Sequence, residues 1–151
     1  QATEAMKIEM PKMLEDEYLK SLKEKLIRNP EKKHSVMMLG FKYFFHKWVN
    51  NEIIVEGIIP WKEFRKNSIN ALNQIKSEIK KGEKIAVFSS GGTISSMIGK
   101  VLGIEDEIVI ADLNFSVRNT SFSKLLYSNK ETNLLTFNEL PHLRDEMITF
   151  V

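Results

Sequence analysis

An α/β sandwich is predicted for this 151-residue chain from three stretches. Ile85-Ala86-Val87-Phe88 is a short apolar, partly β-branched run, the pattern of a strand buried on both faces of a sheet. An amphipathic helical pattern leads into it, and a second follows across Gly91-Gly92. Helix, buried strand, tight turn and helix is a βαβ-like rhythm, which calls for helices layered on a sheet. Later in the chain two short runs of strand-forming residues read as a strand pair. With 42% hydrophobic residues the chain has enough apolar material for one ordinary core. A single domain is expected, with residues 1–59 as a helical cap portion and residues 60–151 as the α/β core.

Taken in order, the first helix is expected to start at Pro11, where the missing N–H costs nothing, with Leu14, Tyr18, Leu22 and Leu26 on one face. Arg28-Asn29-Pro30 ends it, because the residue before a proline is pushed out of helical conformation. A second helix is expected over Glu31–Val49. Its apolar residues, among them Val36, Leu39, Phe41, Phe44, Phe45 and Trp48, wrap more than one stripe. That pattern suits a core helix with two neighbours, and it also suits a lid or a homodimer surface. Residues 50–60 read as a loop with Gly57 and Pro60.

The third helix, Pro60–Lys81, places Trp61, Phe64, Ser68, Leu72, Ile75 and Ile79 on one face and stops at Gly82. Ile85–Ser89 follows as the central strand. Thr93 or a neighbouring serine then caps a helix running to Leu102, with Ile94, Met97, Ile98 and Val101 as its apolar stripe and Gly103 as its left-handed stop. Glu105-Asp106-Glu107 opens a short segment of helical character through Leu113. Ser121–Tyr127 and Thr132–Phe137 form the strand pair, joined through Ser128-Asn129-Lys130-Glu131.

Composition narrows the function classes. A net charge of +2 and a pI near 8.7 arise from interspersed Lys and Glu rather than a basic block, which argues against a nucleic-acid partner. The chain has no cysteine, so a disulfide framework, a thiolate nucleophile and a Cys-based zinc site are excluded. A reducing, cytoplasmic setting is expected. No run is apolar enough for a membrane span, and Gln1-Ala2-Thr3-Glu4-Ala5 has no signal-peptide pattern. Asn119-Thr120-Ser121 matches a glycosylation sequon, which carries little weight without such a signal. His34 and His46 are too far apart for the i, i+4 pair of a zinc helix, and no metal site is expected.

The turn after the central strand carries the chemistry. A turn that ends a buried strand and opens a helix points free N–H groups and the positive end of the helix dipole at one spot, which suits a phosphate. The alternative is that Gly91 and Gly92 only let helix and strand pack closely. G-x-G-x-x-G and G-x-x-x-x-G-K-[ST] are both missing, so neither a dinucleotide cofactor nor a P-loop nucleotide is supported, and no cofactor is expected.

Three motifs together resemble a known family. Val87-Phe88-Ser89-Ser90-Gly91-Gly92 before an apolar helix, Arg118-Asn119-Thr120-Ser121 leading into a strand, and Phe137-Asn138-Glu139-Leu140-Pro141-His142-Leu143 are similar, in order and spacing, to the closing half of the histidine phosphatase (phosphoglycerate-mutase-like) superfamily. The resemblance implies a three-layer α/β/α sandwich with an α-helical insertion before the central strand. It also implies phosphomonoester hydrolysis or transfer through a phosphohistidine, on a phosphorylated small molecule or a phosphoprotein. The family's R-H-G nucleophile segment is not found in the chain, which therefore reads as a fragment, with Gln1–Ala5 similar to the tail of the family's R-x-x-Q-T-A-E helix.

By the same resemblance Ser90 and Gly91 hold the phosphate, and Glu17 in Glu15-Asp16-Glu17-Tyr18 is the proton donor, with Glu15 as runner-up. Helix-surface acids near a helix N-terminus are the plainer reading of that pair. Ser90 departs from the pattern, because it stands where the family usually has a second histidine. A hydroxyl donates a hydrogen bond but brings no charge, so a catalytically weak or inactive phospholigand-binding protein of the same fold is the alternative. Arg118 and His142 lie in family-like motifs, and His142 is expected to satisfy backbone at the sheet edge.

Overall fold

In the computed structural model, residues 7–13, 15–54, 56–128 and 130–149 are described, and the chain divides into two compact units, Gln1–Glu63 and Phe64–Val151. The expectations resting on Gln1–Ala5, Leu14 and Asn129 lie outside the described residues.

In the first unit, helix α1 (Glu17–Arg28) begins later than Pro11, which sits instead in a 3-10 turn, Met10–Met13. The start is set by Asp16, whose Oδ1 accepts the backbone N–H groups of Tyr18 at 3.0 Å and Leu19 at 3.2 Å. Two of the helix's orphan donors are thereby satisfied, which a proline at the first position cannot do. The helix ends as expected, at Arg28 before a 3-10 turn at Pro30–Lys32, and helix α2 (Lys33–Val49) follows.

Helix α2 buries Val36, Phe44, Phe45, Trp48 and Val49, and leaves Met37 and Leu39 exposed. Phe44 packs with Ile53, against which Met13 and Ile58 lie. Beside them Phe45, Trp48 and Trp61 form a closed triangle of edge-to-face rings, with centroids 5.5, 5.6 and 5.6 Å apart. Edge-to-face contact sets the positive ring rim against a neighbour's negative face, so the three rings add specific geometry to plain burial.

Helix α3 (Trp61–Glu78) carries the chain into the second unit, and Gly82, at φ +86°, ends the turn behind it. Helix α4 (Gly91–Val101) closes on Gly103 at φ +68°, the left-handed stop expected there. Helix α5 (Glu107–Ser116) is capped by Asp106, which accepts from Ile108 at 2.9 Å and Val109 at 3.2 Å. It therefore runs three residues beyond the segment expected to end at Leu113. The α4–α5 contact depends on Gly99, since a Cβ there would meet Ile110 Cγ1 at 2.8 Å. Arg65 ties α3 to this pair through Glu107 Oε1 and, at 3.0 Å, the carbonyl of Ile104.

Strands β1 (Phe122–Tyr127) and β2 (Thr132–Glu139) pair antiparallel, with Tyr127 opposite Thr132 and Phe122 opposite Glu139. The pairing slips on either side of Lys124, a bulge-like irregularity that twists the hairpin. Ser128 closes the connecting turn, its N–H donating to the Glu131 carbonyl at 2.9 Å.

The segment Ile85–Ser89 is not the buried central strand that its composition predicts. It has no ladder partner among the described residues, and Ile85, Val87 and Phe88 are 50%, 53% and 96% exposed. An apolar run specifies a need for neighbours on both edges and both faces. Here no described strand lies along either edge, so the run stays outside regular structure. The α/β character holds, while the described sheet has two strands.

Candidate functional site

Ser90 is the N-cap of α4, with φ −89° and ψ 162°, and its carbonyl accepts the first helical bond, from Ile94 N–H at 3.0 Å. The N–H groups of Gly91, Gly92 and Thr93 precede that bond and have no acceptor within the helix. Ser90 caps with its backbone alone: its side chain makes no capping hydrogen bond, and the residue is exposed. A hydroxyl and the N–H groups of the first turn are thus gathered at the positive end of the helix, the kind of donor set that suits an anion.

Both glycines also serve packing. A Cβ on Gly91 would lie 2.6 Å from Asn114 Oδ1 and 3.3 Å from the Asn114 carbonyl, and one on Gly92 would touch the Phe64 ring at 3.3 Å. The floor of the turn is therefore built by the C-terminal end of α5 and by α3. The fully buried Ser95 and Ser96 both donate to the Gly92 carbonyl, at 3.1 and 2.7 Å, which pins the first turn.

A second support comes from Asn138, held at φ +61°. Its Oδ1 accepts Arg118 N–H at 2.9 Å and its Nδ2 donates to the Ser116 carbonyl at 2.7 Å, clamping the Val117 corner onto β2. Asn138 was legible as part of a motif. Asn114, Phe64 and the clamp were not, since nothing in the local sequence says which distant side chain will lie under the glycines. His142 does not play the backbone-satisfying part expected of it: exposed, it stacks on Phe122 with ring centroids 5.9 Å apart and planes at 27°.

Glu17 lies in the first unit, at the opening of α1, with its side chain 90% exposed and 3.2 Å from Lys20 Nζ. Glu15 is equally open and reaches the same ammonium at 2.9 Å, and the two carboxylates, Glu15 foremost, raise the Lys20 pKa. Between them, Asp16 is the better-held acid. Its second oxygen accepts the Tyr43 hydroxyl at 2.8 Å, beneath rings of Tyr18 and Tyr43 that lie 4.6 Å apart. Burial pushes the Asp16 carboxyl up, but the Tyr43 hydroxyl, the Leu19 and Tyr18 N–H groups and the nearby Lys47 charge together hold it below its ordinary value.

The sign of that shift gives a prediction. A carboxylate with a depressed folded pKa contributes stability that is fully present above its unfolded pKa and is lost as pH falls through the folded one. Asp16→Asn should keep a cap but flatten this acid-side loss. Asp16→Ala should cost about 1 kcal/mol at neutral pH through the missing cap. Chemical denaturation of the three proteins from pH 7 down to pH 3 reads both effects.

A family profile described as histidine phosphatase superfamily (branch 1) matches residues 7–140, most of the chain. The chain belongs to the histidine phosphatase superfamily. Within the matched span of this superfamily member lie the Ser90-Gly91-Gly92 turn, the Arg118–Ser121 corner and Asn138, whereas His142 falls just outside it. No curated protein and no solved structure matches the chain. Among the described residues no group of three acidic, histidine or cysteine side chains is arranged to hold a metal, and no helix is long and apolar enough to cross a membrane.

Proposed function

We propose that this member of the superfamily takes part in phosphomonoester hydrolysis, with the Ser90–Gly91 turn gripping the phosphoryl oxygens. Membership supports phosphatase- or mutase-type chemistry as the kind of function. The observation that carries the finer reading is the exposed Ser90, whose side chain makes no capping hydrogen bond to the N–H groups of the first α4 turn. In-line phosphoryl transfer places negative charge on the equatorial oxygens, and fixed donors aimed at them lower its cost.

The nucleophile of this reading is a histidine in an R-H-G segment, and none of the chain's three histidines stands in one. It is supplied from outside residues 1–151, on a strand that lies beside Ile85–Ser89 and completes a three-layer sandwich with the α1–α2 portion as its helical insertion. The exposure of Ile85, Val87 and Phe88 supports this, because a strand placed there covers them. Glu17 is the proposed proton donor to the leaving oxygen, and its open position at a helix start leaves it accessible to a substrate. The substrate is a phosphorylated small molecule or a phosphoprotein, the setting cytoplasmic, and the exposed side of α2 with Met37 and Leu39 the surface for a homodimer.

One observation favours a second reading. With serine in place of the usual second histidine, the site lacks a charge that would stabilise the transition state, and a weak or silent phospholigand-binding protein results. Titration of orthophosphate or vanadate into the protein joined to its R-H-G segment separates these outcomes. Ser90→Leu, which removes a donor and puts a bulky apolar side chain in its place, should weaken binding about tenfold or more. Ser90→His should keep binding and raise turnover of a phosphomonoester. Unchanged affinity in Ser90→Leu would mean that Ser90 does not face the anion and that the glycines serve packing alone.

A further inference from the structure

Two stretches of the chain share one pattern, a pair of adjacent cations followed two residues later by a serine: Lys32-Lys33-His34-Ser35 and Arg65-Lys66-Asn67-Ser68. Cations placed just ahead of a hydroxyl suit a protein kinase with carboxylates lining its cleft, because charge complementarity around the acceptor selects the substrate. By residue type the two serines are equivalent. Their surroundings separate them.

Ser68 is closed to such a partner. It is 6% exposed, its hydroxyl donates to the Phe64 carbonyl at 3.0 Å, and Arg65 is held by Glu107 and by the Ile104 carbonyl. Ser35 is the opposite case, since residues 31–35 are all exposed. The other serines of the described α-helices, Ser21, Ser68, Ser77, Ser95, Ser96 and Ser116, each donate to a backbone carbonyl three or four residues back. Among the described residues no hydrogen bond engages the Ser35 hydroxyl, and no ion pair engages Lys32 or Lys33. Acceptor and recognition charges are therefore open together at this one place.

We propose that Ser35 is a phosphorylation site for a serine kinase that reads the two lysines ahead of it. The Ser35 oxygen attacks the γ-phosphorus of a nucleoside triphosphate, and the new O–P bond replaces the one to the β-phosphate oxygen. The nucleoside diphosphate leaves, and the hydroxyl proton passes to a base of the kinase. The product suits its place. Helix α2 opens on Lys32 without a side-chain capping bond and without an acid in its first turn. A phosphate on Ser35, with about two negative charges, meets the helix dipole and the neighbouring lysines at once. Modification thus tightens the start of α2 and largely cancels the net positive charge of residues 28–35.

The test is to treat the folded full-length protein with a serine kinase selective for basic residues two and three positions before the serine. Labelled ATP supplies the phosphate, and mass spectrometry locates it. Ser35 should take the label and Ser68 should not, and Ser35→Ala should abolish it. The double variant Lys32→Ala, Lys33→Ala should be labelled about tenfold more slowly. Both tryptophans, Trp48 and Trp61, lie in the first unit, so their fluorescence in urea reads its stability. The phosphorylated protein should show an unfolding constant about two- to fivefold smaller than the unmodified one, a gain that shrinks as salt is added. Label on Ser68 instead of Ser35, no label on the folded protein, or equal rates with and without the lysines overturns the assignment. Equal unfolding of the two forms overturns the tightening of α2.

Discussion

Trp61→Ala is expected to destabilise the first unit by about 3–5 kcal/mol, the cost of emptying a large aromatic site in a core that relaxes only in part. Trp61 is 1% exposed and meets both Phe45 and Trp48 edge to face, so the change removes burial and two aromatic contacts together. Trp61→Phe keeps a ring in place and should cost clearly less. Urea denaturation followed by the fluorescence of Trp48, the other tryptophan, measures both. A loss below about 1 kcal/mol for the alanine variant would mean that the triangle of rings does not hold the unit together.

The second large effect is expected at Gly99. Alanine in a helix interior gains about 1 kcal/mol over glycine, but here the added Cβ would sit 2.8 Å from Ile110 Cγ1 and 3.0 Å from Ile110 Cδ1. Ile110 is fully buried, so it cannot swing away without moving others. Overpacking of this kind costs about 1–3 kcal/mol, which outweighs the propensity gain. Gly99→Ala should therefore be net destabilising by about 1 kcal/mol, and Gly99→Val by about 3 kcal/mol. Thermal melts rank the two. A stabilised Gly99→Ala would show that α4 and α5 have room to part. Restoration of Gly99→Ala by Ile110→Val would tie the effect to this one contact.

The helices were largely legible because their signals are local. Asn29-Pro30 stops α1, Gly82 and Gly103 end the turns behind α3 and α4, and an apolar face at 3.6-residue spacing marks α3. At α4 the cap is the serine alternative, Ser90, while the start of α1 differs from the expectation. Pro11 is a permissive first residue, but Asp16 stands at the cap, and an N-cap is decided by which side chain or carbonyl meets the first free N–H groups. Asp16 was passed over for the flanking glutamates because only its contact with Tyr43, far along the chain, distinguishes it.

By itself the sequence determined the family, through three motifs in order, and with it the glycine turn at Ser90-Gly91-Gly92 that opens a helix and the hairpin of β1 and β2. Such features are fixed by residue type over a few positions: a glycine that admits close approach, a helix start that leaves donors free, an alternation that suits a strand. Only the tertiary structure decided that Asn114 and Phe64 lie beneath the glycines, that Asn138 and Thr149 hold the Val117–Thr120 corner, and that Ile85–Ser89 has no described strand beside it. Those outcomes depend on which distant groups are brought together, and an apolar run states only that it needs a neighbour. Whether that neighbour is present is a property of the whole fold.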